Sequence, residues 1–447
     1  MIPRAVIEDE FRRKNIEIVT DIEKYKEDMG QFKNNPLIIV KAKSTEDVVE
    51  AVKIANKYKI PIVAWGAGTS LTGAPVTNNG ILVDVSSIRF FEFDDVNWVV
   101  HVGVGVVVDE LNSFLRSRGF FFPPDPASSF LATVGGCVAN GAGGMRCVRY
   151  GTFRDWVLSL RVVLADGSVV RFGEALGKNR AGYDLVRLFV GSEGTLGIIT
   201  EVWLRVIPLP DYKVFRILAY FNDEESVARA IIGIRRERIL PEIAEYMDQK
   251  TLIAVSKAFN IPVKGVGALL IDVPEFQLNR LLSLLKSLNA EVIVAEDEEK
   301  KEELYKVRVF APIAVHNLAS HHMAEDVVVP ISLLPEALKK IREIEKEFGL
   351  QIPTLGHIGD GNLHPIILYN DGEEEKAKEV FYKLCRYVIS VGGSITGEHG
   401  VGIQKAELLK EQIAAHNGIR VLDLMKGIKK VFDPYNLLNP GKYVDAP

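Results

Sequence analysis

Two short segments concentrate side chains able to do chemistry. The first, LGHIGDGNLHPII, carries His357 and His364 on either side of a glycine-rich turn. With Gly359-Asp360-Gly361-Asn362 as a four-residue hairpin loop, Ile358 faces Leu363 and His357 faces His364. Directly opposed residues hold their Cβ atoms roughly 4.5–5.5 Å apart, close enough for both imidazoles to share one metal ion. The second segment, VGGSITGEHGVGIQK, sets Glu398-His399 between Gly397 and Gly400, in a turn that can aim both side chains. A carboxylate beside two imidazoles is a borderline-hard ligand set that suits Zn²⁺, Mn²⁺ or Fe²⁺ and can leave positions open for substrate. His399 has two readings: a general base kept neutral by a nearby cation, or a fourth ligand that Glu398 positions. The plain alternative for the first segment is a hairpin with two half-exposed histidines; the double placement favours metal ligation.

Chain length and patterning give the frame that must position these residues. A chain of 447 residues implies two or three domains. Residues 1–35 read as a polar helical lead-in. Strand-like and helix-like runs then alternate through residues 36–208: PLIIVKA, IPIVAW and GILVDVS as strands, STEDVVEAVKIANKYK as a helix capped by Ser44, and LRVVLADGSVVRFG as a hairpin turning at Asp166-Gly167. Pro208-Leu209-Pro210 marks a boundary. Residues 209–405 pattern as a second α+β domain, an antiparallel sheet with helices on one face, and residues 406–447 as a helical C-terminal segment. The charged run Glu296–Glu303 reads as a solvated helix start or loop.

Composition excludes several classes. The net charge of -5 offers no basic surface for nucleic acid. The 3 cysteines (Cys137, Cys147, Cys385) have no C-x-x-C spacing, which rules out a disulfide framework or a cysteine-ligated cluster and fits a reducing cytoplasm. The first residues are charged, without an apolar signal core, and the longest apolar runs, such as Val99–Val108, are too short to span a membrane. Scarce Cys and Met beside abundant Lys, Glu, Val and Ile are a compositional feature of thermophile proteins.

Three glycine-rich segments fall in the first domain. Trp65-Gly66-Ala67-Gly68-Thr69-Ser70 and Gly73 directly follow a strand, where successive backbone N–H groups can cradle an anion. The spacing is neither the dinucleotide G-x-G-x-x-G nor a Walker loop. The second segment runs from Pro123 to Asp155 and includes Pro124, Asp125, Thr133, Gly135, Gly136, Ala139, Asn140, Gly143, Gly144, Tyr150 and Gly151. The third holds Gly191, Glu193, Gly194, Gly197 and Ile198. Three such segments in one domain imply a large, flat, multiply charged ligand threaded between backbones.

Together these segments resemble the FAD-binding domain of the vanillyl-alcohol oxidase (p-cresol methylhydroxylase) superfamily, above all its branch of D-lactate dehydrogenases and glycolate oxidase catalytic subunits. The resemblance runs from about Pro36 to Lys442. It implies a two-subdomain FAD-binding domain joined to an α+β substrate (cap) domain. Trp65–Gly73 would cradle the pyrophosphate, Pro124–Gly144 would follow the cofactor, and Gly191–Ile199 would pass near the flavin and adenosine. No histidine lies between Trp65 and Gly73 to tether the flavin, so FAD is expected to be non-covalent, and His101 reads as a core or edge histidine. The same resemblance implies His357, His364 and Glu398 as metal ligands, His399 as the base, Asn362 as a substrate-positioning residue and Arg308 as the partner of the substrate carboxylate. For Arg308 the plain reading is a helix-surface residue paired with Glu302 or Glu303. Lys405 and Lys442 are weaker candidates, and His316, His321 and His322 read as surface histidines.

The implied reaction is metal-assisted deprotonation of a D-2-hydroxy acid by His399, with hydride transfer to the flavin. Pro365-Ile366 after His364 favours a small apolar substrate such as D-lactate. Without an iron–sulfur segment, electrons must leave to a separate acceptor: a quinone, a cytochrome, an electron-transfer flavoprotein or an iron–sulfur subunit. The expectation leaves room for a homodimer and for peripheral attachment to the inner face of a membrane. The rival readings are an FAD-bearing non-redox synthase of the same fold, the glycolate oxidase catalytic subunit of a larger complex, a non-catalytic flavoprotein subunit and a metal-dependent hydrolase. The last leaves the glycine segments unexplained.

Overall fold

The computed structural model describes residues 3–443, which divide into two compact units. The first takes the chain up to Gly144, then Gly151–Leu209, then everything from Glu398 onward; the second takes Met145–Tyr150 and Pro210–Gly397. The break after Leu209 falls in the proline-rich stretch. The C-terminal break differs from the expected 405/406: contacts place it between Gly397 and Glu398, and the C-terminal segment returns to the first unit.

The first unit holds two main sheets, besides a short pairing of Phe120–Phe121 with Ile207–Pro208. In the smaller, Ile81–Asp84 lies between Ile38–Lys41 and Ile62–Trp65 and runs parallel to both. Only Arg4–Arg13 of the lead-in is a longer helix, burying Ile7 and Phe11; Glu17–Ile18 then pairs antiparallel with Ile38–Lys41. The crossover helix Thr45–Tyr58 starts where Ser44 Oγ accepts the Asp47 N–H at 3.2 Å and buries Val48, Ala51, Val52 and Ala55. The larger sheet is antiparallel, in the order Phe91–Asp94, Val99–Gly103, Ile198–Arg205, Val157–Val163, Val169–Gly173. His101 is structural there: it stacks on Trp203 at 3.9 Å, and its ring nitrogens lie 2.8 Å from Glu92 and 2.7 Å from Glu201. The C-terminal helices Ala406–His416 and Arg420–Phe432 pack through Ile413 and Leu422. Buried Lys429 reaches the Thr195 and Leu438 carbonyls, both at 2.8 Å, and Asp433 at 2.6 Å, fixing these helices to the third glycine segment.

The second unit is one antiparallel sheet in the order Glu291–Val294, Val214–Phe221, Gly267–Pro274, Ile243–Asp248, Thr354–Gly356, Asn362–Tyr369, His321–Ala324. Val327–Val328 pairs with Asn362–Tyr369 as well. Gly267–Pro274 and Ile243–Asp248 are buried at every position, so both faces are covered and helices do not stand on one side alone. Three of those helices begin with an aspartate cap: Asp223, Asp248 and Asp297 each accept an N–H from three residues on. The acidic run at 296–303 is the start of the third of them, Glu298–Val309.

Candidate active site

In the second unit, register brings the polar residues to one sheet face. Tyr246 pairs with Gly356 and Met247 with Leu355, while Leu355 pairs with His364. Opposed residues share a face, so Met247, Leu355 and His364 point the same way, and Glu245, two before Met247, points with them. Along that face lie the core residues Leu218, Leu270, Ile366 and Leu368, capped by Leu304, Val307, Ala311 and Val315 from the helices.

Glu245 is fully buried and is the hub of the polar group. Its carboxylate lies 2.8 and 2.9 Å from His357 Nδ1 and accepts from Arg308 Nε at 2.9 Å. Burial pushes its carboxyl up, but the attraction of His357 and of the Arg308 guanidinium outweighs that and holds it below the ordinary carboxylate range. Arg308 thus sits on the last turn of its helix, buried rather than on the surface, paired with neither Glu302 nor Glu303. Its Nη groups make no hydrogen bond among the described residues.

The histidine hairpin departs from the expected register. A 3-10 turn over Ile358–Asp360 lengthens the loop, so His364 opposes Leu355, and His357 stands outside the ladder. The two rings still meet edge to face, centroids 5.1 Å apart. His364 Nδ1 lies 3.2 Å from the Glu325 carbonyl and 3.8 Å from Asp326. A carbonyl only accepts, so His364 Nδ1 carries a proton, and in the neutral ring the lone pair is on Nε2. His357, with Nδ1 on a carboxylate, has the same arrangement, the usual one for a ligating histidine.

Asn362 is held in place through its amide nitrogen. Its Nδ2 donates to Asp326 at 2.8 Å and to the Val327 carbonyl at 3.1 Å. Buried Asp326 also accepts from Thr396 Oγ1 at 2.7 Å and from the Gly397 N–H at 2.8 Å, so it fixes the chain as far as Gly397. Glu245, Glu325 and Asp326 were not among the expected residues. The signal for each is an acidic residue within an otherwise apolar run, IAEYM and AEDVVV.

The remaining expected residues lie in the first unit, with one exception. Tyr150 belongs to the second, its hydroxyl donating to Glu242 at 2.7 Å. Ala67, Thr69, Ser70, Pro124 and Gly143 occupy the glycine-rich loops. Gly68 and Gly73 have φ of 72° and 77°, and the loop turns there. Much of the glycine content serves close packing of the segments on one another. A Cβ on Gly66 would strike Thr133 Oγ1, and one on Gly141 would crowd Gly191 Cα. On Gly144 it would strike the Asp125 carbonyl, and on Gly151 the Asp155 carboxylate. Gly135 donates to Val104, and Gly197 leads into the strand from Ile198 against Val162. Two buried polar atoms in the segments, Asn140 Oδ1 and Ser192 Oγ, have no partner among the described residues. Buried polar atoms are normally paired, so they fit a polar ligand held between the segments.

The Glu398–Gly402 turn is packed into the same unit, not the second domain as expected: a side chain on Gly400 would collide with Asn140 and Glu193, and one on Gly402 with Thr72. Within the turn, His399 Nε2 and Glu398 Oε1 are 3.8 Å apart, too far for a hydrogen bond. Glu193 is buried with its carboxyl pushed up to about 7 by desolvation. Lys442, also buried, is pushed down to about 8 and is satisfied by the Val76 carbonyl and Asn439 Oδ1, at 2.8 and 2.9 Å. Lys405 is buried as well. His316 and His322 are not surface residues; half-buried, they stack at 3.8 Å, while His321 reaches Asp371 at 2.7 Å.

Comparison with known proteins agrees with this layout. Residues 36–173 match an FAD binding domain and residues 212–443 the C-terminal domain of FAD linked oxidases. The chain is 35% identical to the glycolate oxidase subunit GlcD of Bacillus subtilis, over 92% of this chain and 90% of that one. It is also 35% identical to a D-lactate dehydrogenase of Anaerostipes hadrus, with the same coverage, and 34% identical to one of Archaeoglobus fulgidus, covering 91% of each. Among solved structures, p-cresol methylhydroxylase with substrate bound superposes with a TM-score of 0.77 at 17% identity, over 98% of this chain and 96% of that one, a likeness of fold. No helix among the described residues is long and apolar enough to cross a membrane.

Proposed function

The chain belongs to the FAD-linked oxidases, and on that premise we propose that it oxidises a D-2-hydroxy acid, D-lactate foremost, to the 2-oxo acid. The observation that carries the proposal is the buried group Arg308, Glu245, His357 and His364 on one face of the second unit. A guanidinium oriented through Nε, with its Nη groups unspent, is suited to a substrate carboxylate. Two imidazoles with their lone pairs on Nε2 are suited to a divalent ion. Leu355 and Ile366, both buried on that face, keep water out and suit a small apolar side chain.

In this reading FAD, held non-covalently by the three glycine-rich segments, supplies the hydride acceptor, and a Zn, Mn or Fe ion supplies the Lewis acid. His357 and His364 would hold the ion. Glu398 is taken as the third ligand, the carboxylate that completes a borderline-hard set beside two imidazoles. Arg308 would hold the carboxylate, and His399 would take the hydroxyl proton. Asn362 is assigned to positioning Asp326 rather than to substrate contact. A separate acceptor, quinone or redox protein, would reoxidise the enzyme.

Relatives named for glycolate oxidase and for D-lactate dehydrogenase are equally similar, so both substrates belong in one assay. Flavin-loaded protein is mixed anaerobically with D-lactate, L-lactate or glycolate while flavin absorbance is followed. The expected result is bleaching by D-lactate but not L-lactate, slowed after chelation. No bleaching by any of them overturns the proposal.

A further inference from the structure

Three residues in the first unit reach the Glu398–His399 turn, one from each glycine-rich segment. From the first segment, the Thr72 carbonyl accepts the Ile403 N–H at 2.9 Å and the Gln404 N–H at 3.2 Å, and Thr72 Oγ1 lies 3.4 Å from the His399 carbonyl. From the second, Asn140 Nδ2 donates to the Glu398 carbonyl at 2.5 Å. From the third, the Glu193 carboxylate takes the Val401 N–H at 2.6 Å on one oxygen and the Gly402 N–H at 2.8 Å on the other. His399 is thus bracketed on both sides.

Glu193 is held for this task at some cost. It is a non-glycine residue with φ of 52°, a conformation that L side chains seldom adopt and that persists only where the surroundings enforce it. They do so here: its N–H donates to the Ala139 carbonyl at 2.7 Å, and its carbonyl accepts from Asn439 Nδ2 at 2.7 Å. The carboxylate is buried among backbone N–H groups, and both oxygens are spent on the turn. Gly400 is required opposite it, because any side chain there would strike Glu193 and Asn140.

We propose that Glu193 is a positioning residue for His399, joining the cofactor-binding segments to the base-bearing turn, rather than a residue that binds FAD through its side chain. The proposal rests on the reading of His399 as the base. Removing the Glu193 carboxylate leaves the Val401 or Gly402 N–H unmatched and loosens the turn, while the loop backbones that hold FAD remain.

The test compares flavin-loaded wild type with Glu193→Gln and, as a second variant should the first fail to fold, Glu193→Asn, whose side chain tolerates the positive φ. FAD affinity, by fluorescence quenching on titration into apoprotein, should stay within about twofold of wild type. The limiting rate of flavin reduction by D-lactate should fall about 10- to 100-fold with little change in KM, and its solvent isotope effect should rise as proton transfer becomes harder. Hydrogen exchange in the peptide covering 398–404 should speed up about tenfold, with the strand Ile62–Trp65 unchanged. Loss of FAD in step with loss of activity would overturn the proposal, as would unchanged exchange at 398–404 or an unchanged reduction rate. The exchange measurement needs no substrate. If wild-type flavin is reduced by no 2-hydroxy acid, the functional reading fails, while exchange still decides whether Glu193 holds the turn.

Discussion

Replacing Glu245 by Gln tests the architecture of the second unit most severely. The carboxylate is fully buried and lies within 2.9 Å of both Arg308 Nε and His357 Nδ1, themselves only 5% exposed, so solvent does not screen these interactions. Breaking a buried ion pair by removing one partner costs about 3–5 kcal/mol, because the charge left behind is uncompensated. Gln keeps one acceptor oxygen for one of the two donors, which places the expected loss near the lower end, about 3 kcal/mol. Urea denaturation followed by far-UV circular dichroism measures it. The pH dependence carries a signature. Because the folded carboxyl is held below its ordinary value of 4.5, its contribution is fully present above pH 4.5 and is lost as pH falls below that. The gap between wild type and variant should therefore be constant from pH 6 to 8 and close on acidification. The substitution also removes the carboxylate behind His357, so affinity for a divalent ion should drop by about 10- to 100-fold. A loss below about 1 kcal/mol, or a gap that widens in acid, would refute the view of Glu245 as the hub.

Three further outcomes follow from the same geometry. Arg308→Lys keeps the charge but loses the planar fork, so KM for D-lactate should rise by about tenfold or more in steady-state assays, with less effect on the rate at saturation. His399→Asn should slow flavin reduction by about 10²- to 10⁴-fold while FAD content, read from the visible spectrum, is unchanged. His316 is held neutral by burial and by His322, its pKa pushed down to about 4. Its contribution to stability is therefore present above pH 6.5 and lost as pH falls from there toward 4. His316→Phe keeps the stacked ring and removes the titration, so acid destabilisation over that range should shrink by about 1–2 kcal/mol, allowing for partial exposure.

The chemistry-bearing motifs were legible in the sequence because their residue types are unusual where they stand. Two histidines around a glycine turn, and Glu-His between glycines, have few plain explanations. What escaped was set by long-range partners. Glu245 lies 63 residues from Arg308 and 112 from His357, so nothing local marks it, and only the plain reading of Arg308, a pairing with its helix neighbours, offers it an acidic partner. The hairpin register failed because Ile358–Asp360 wind into a 3-10 turn, which spends residues that a tight loop would leave to the strands. The expected boundary at 405/406 differs from the division between Gly397 and Glu398 because the turn's packing against Thr72, Asn140 and Glu193 is invisible to composition. Glycines assigned wholly to a ligand proved to serve contacts between segments as well, since a missing Cβ looks the same in sequence whichever surface it accommodates.

The most direct test of D-2-hydroxy acid oxidation is a single anaerobic turnover with quantified product. Flavin-loaded protein given excess D-lactate and no electron acceptor should yield one equivalent of 2-oxo acid per flavin reduced, with none formed from L-lactate. Product without flavin reduction, or flavin that stays oxidised with D-lactate, L-lactate and glycolate alike, would contradict the account.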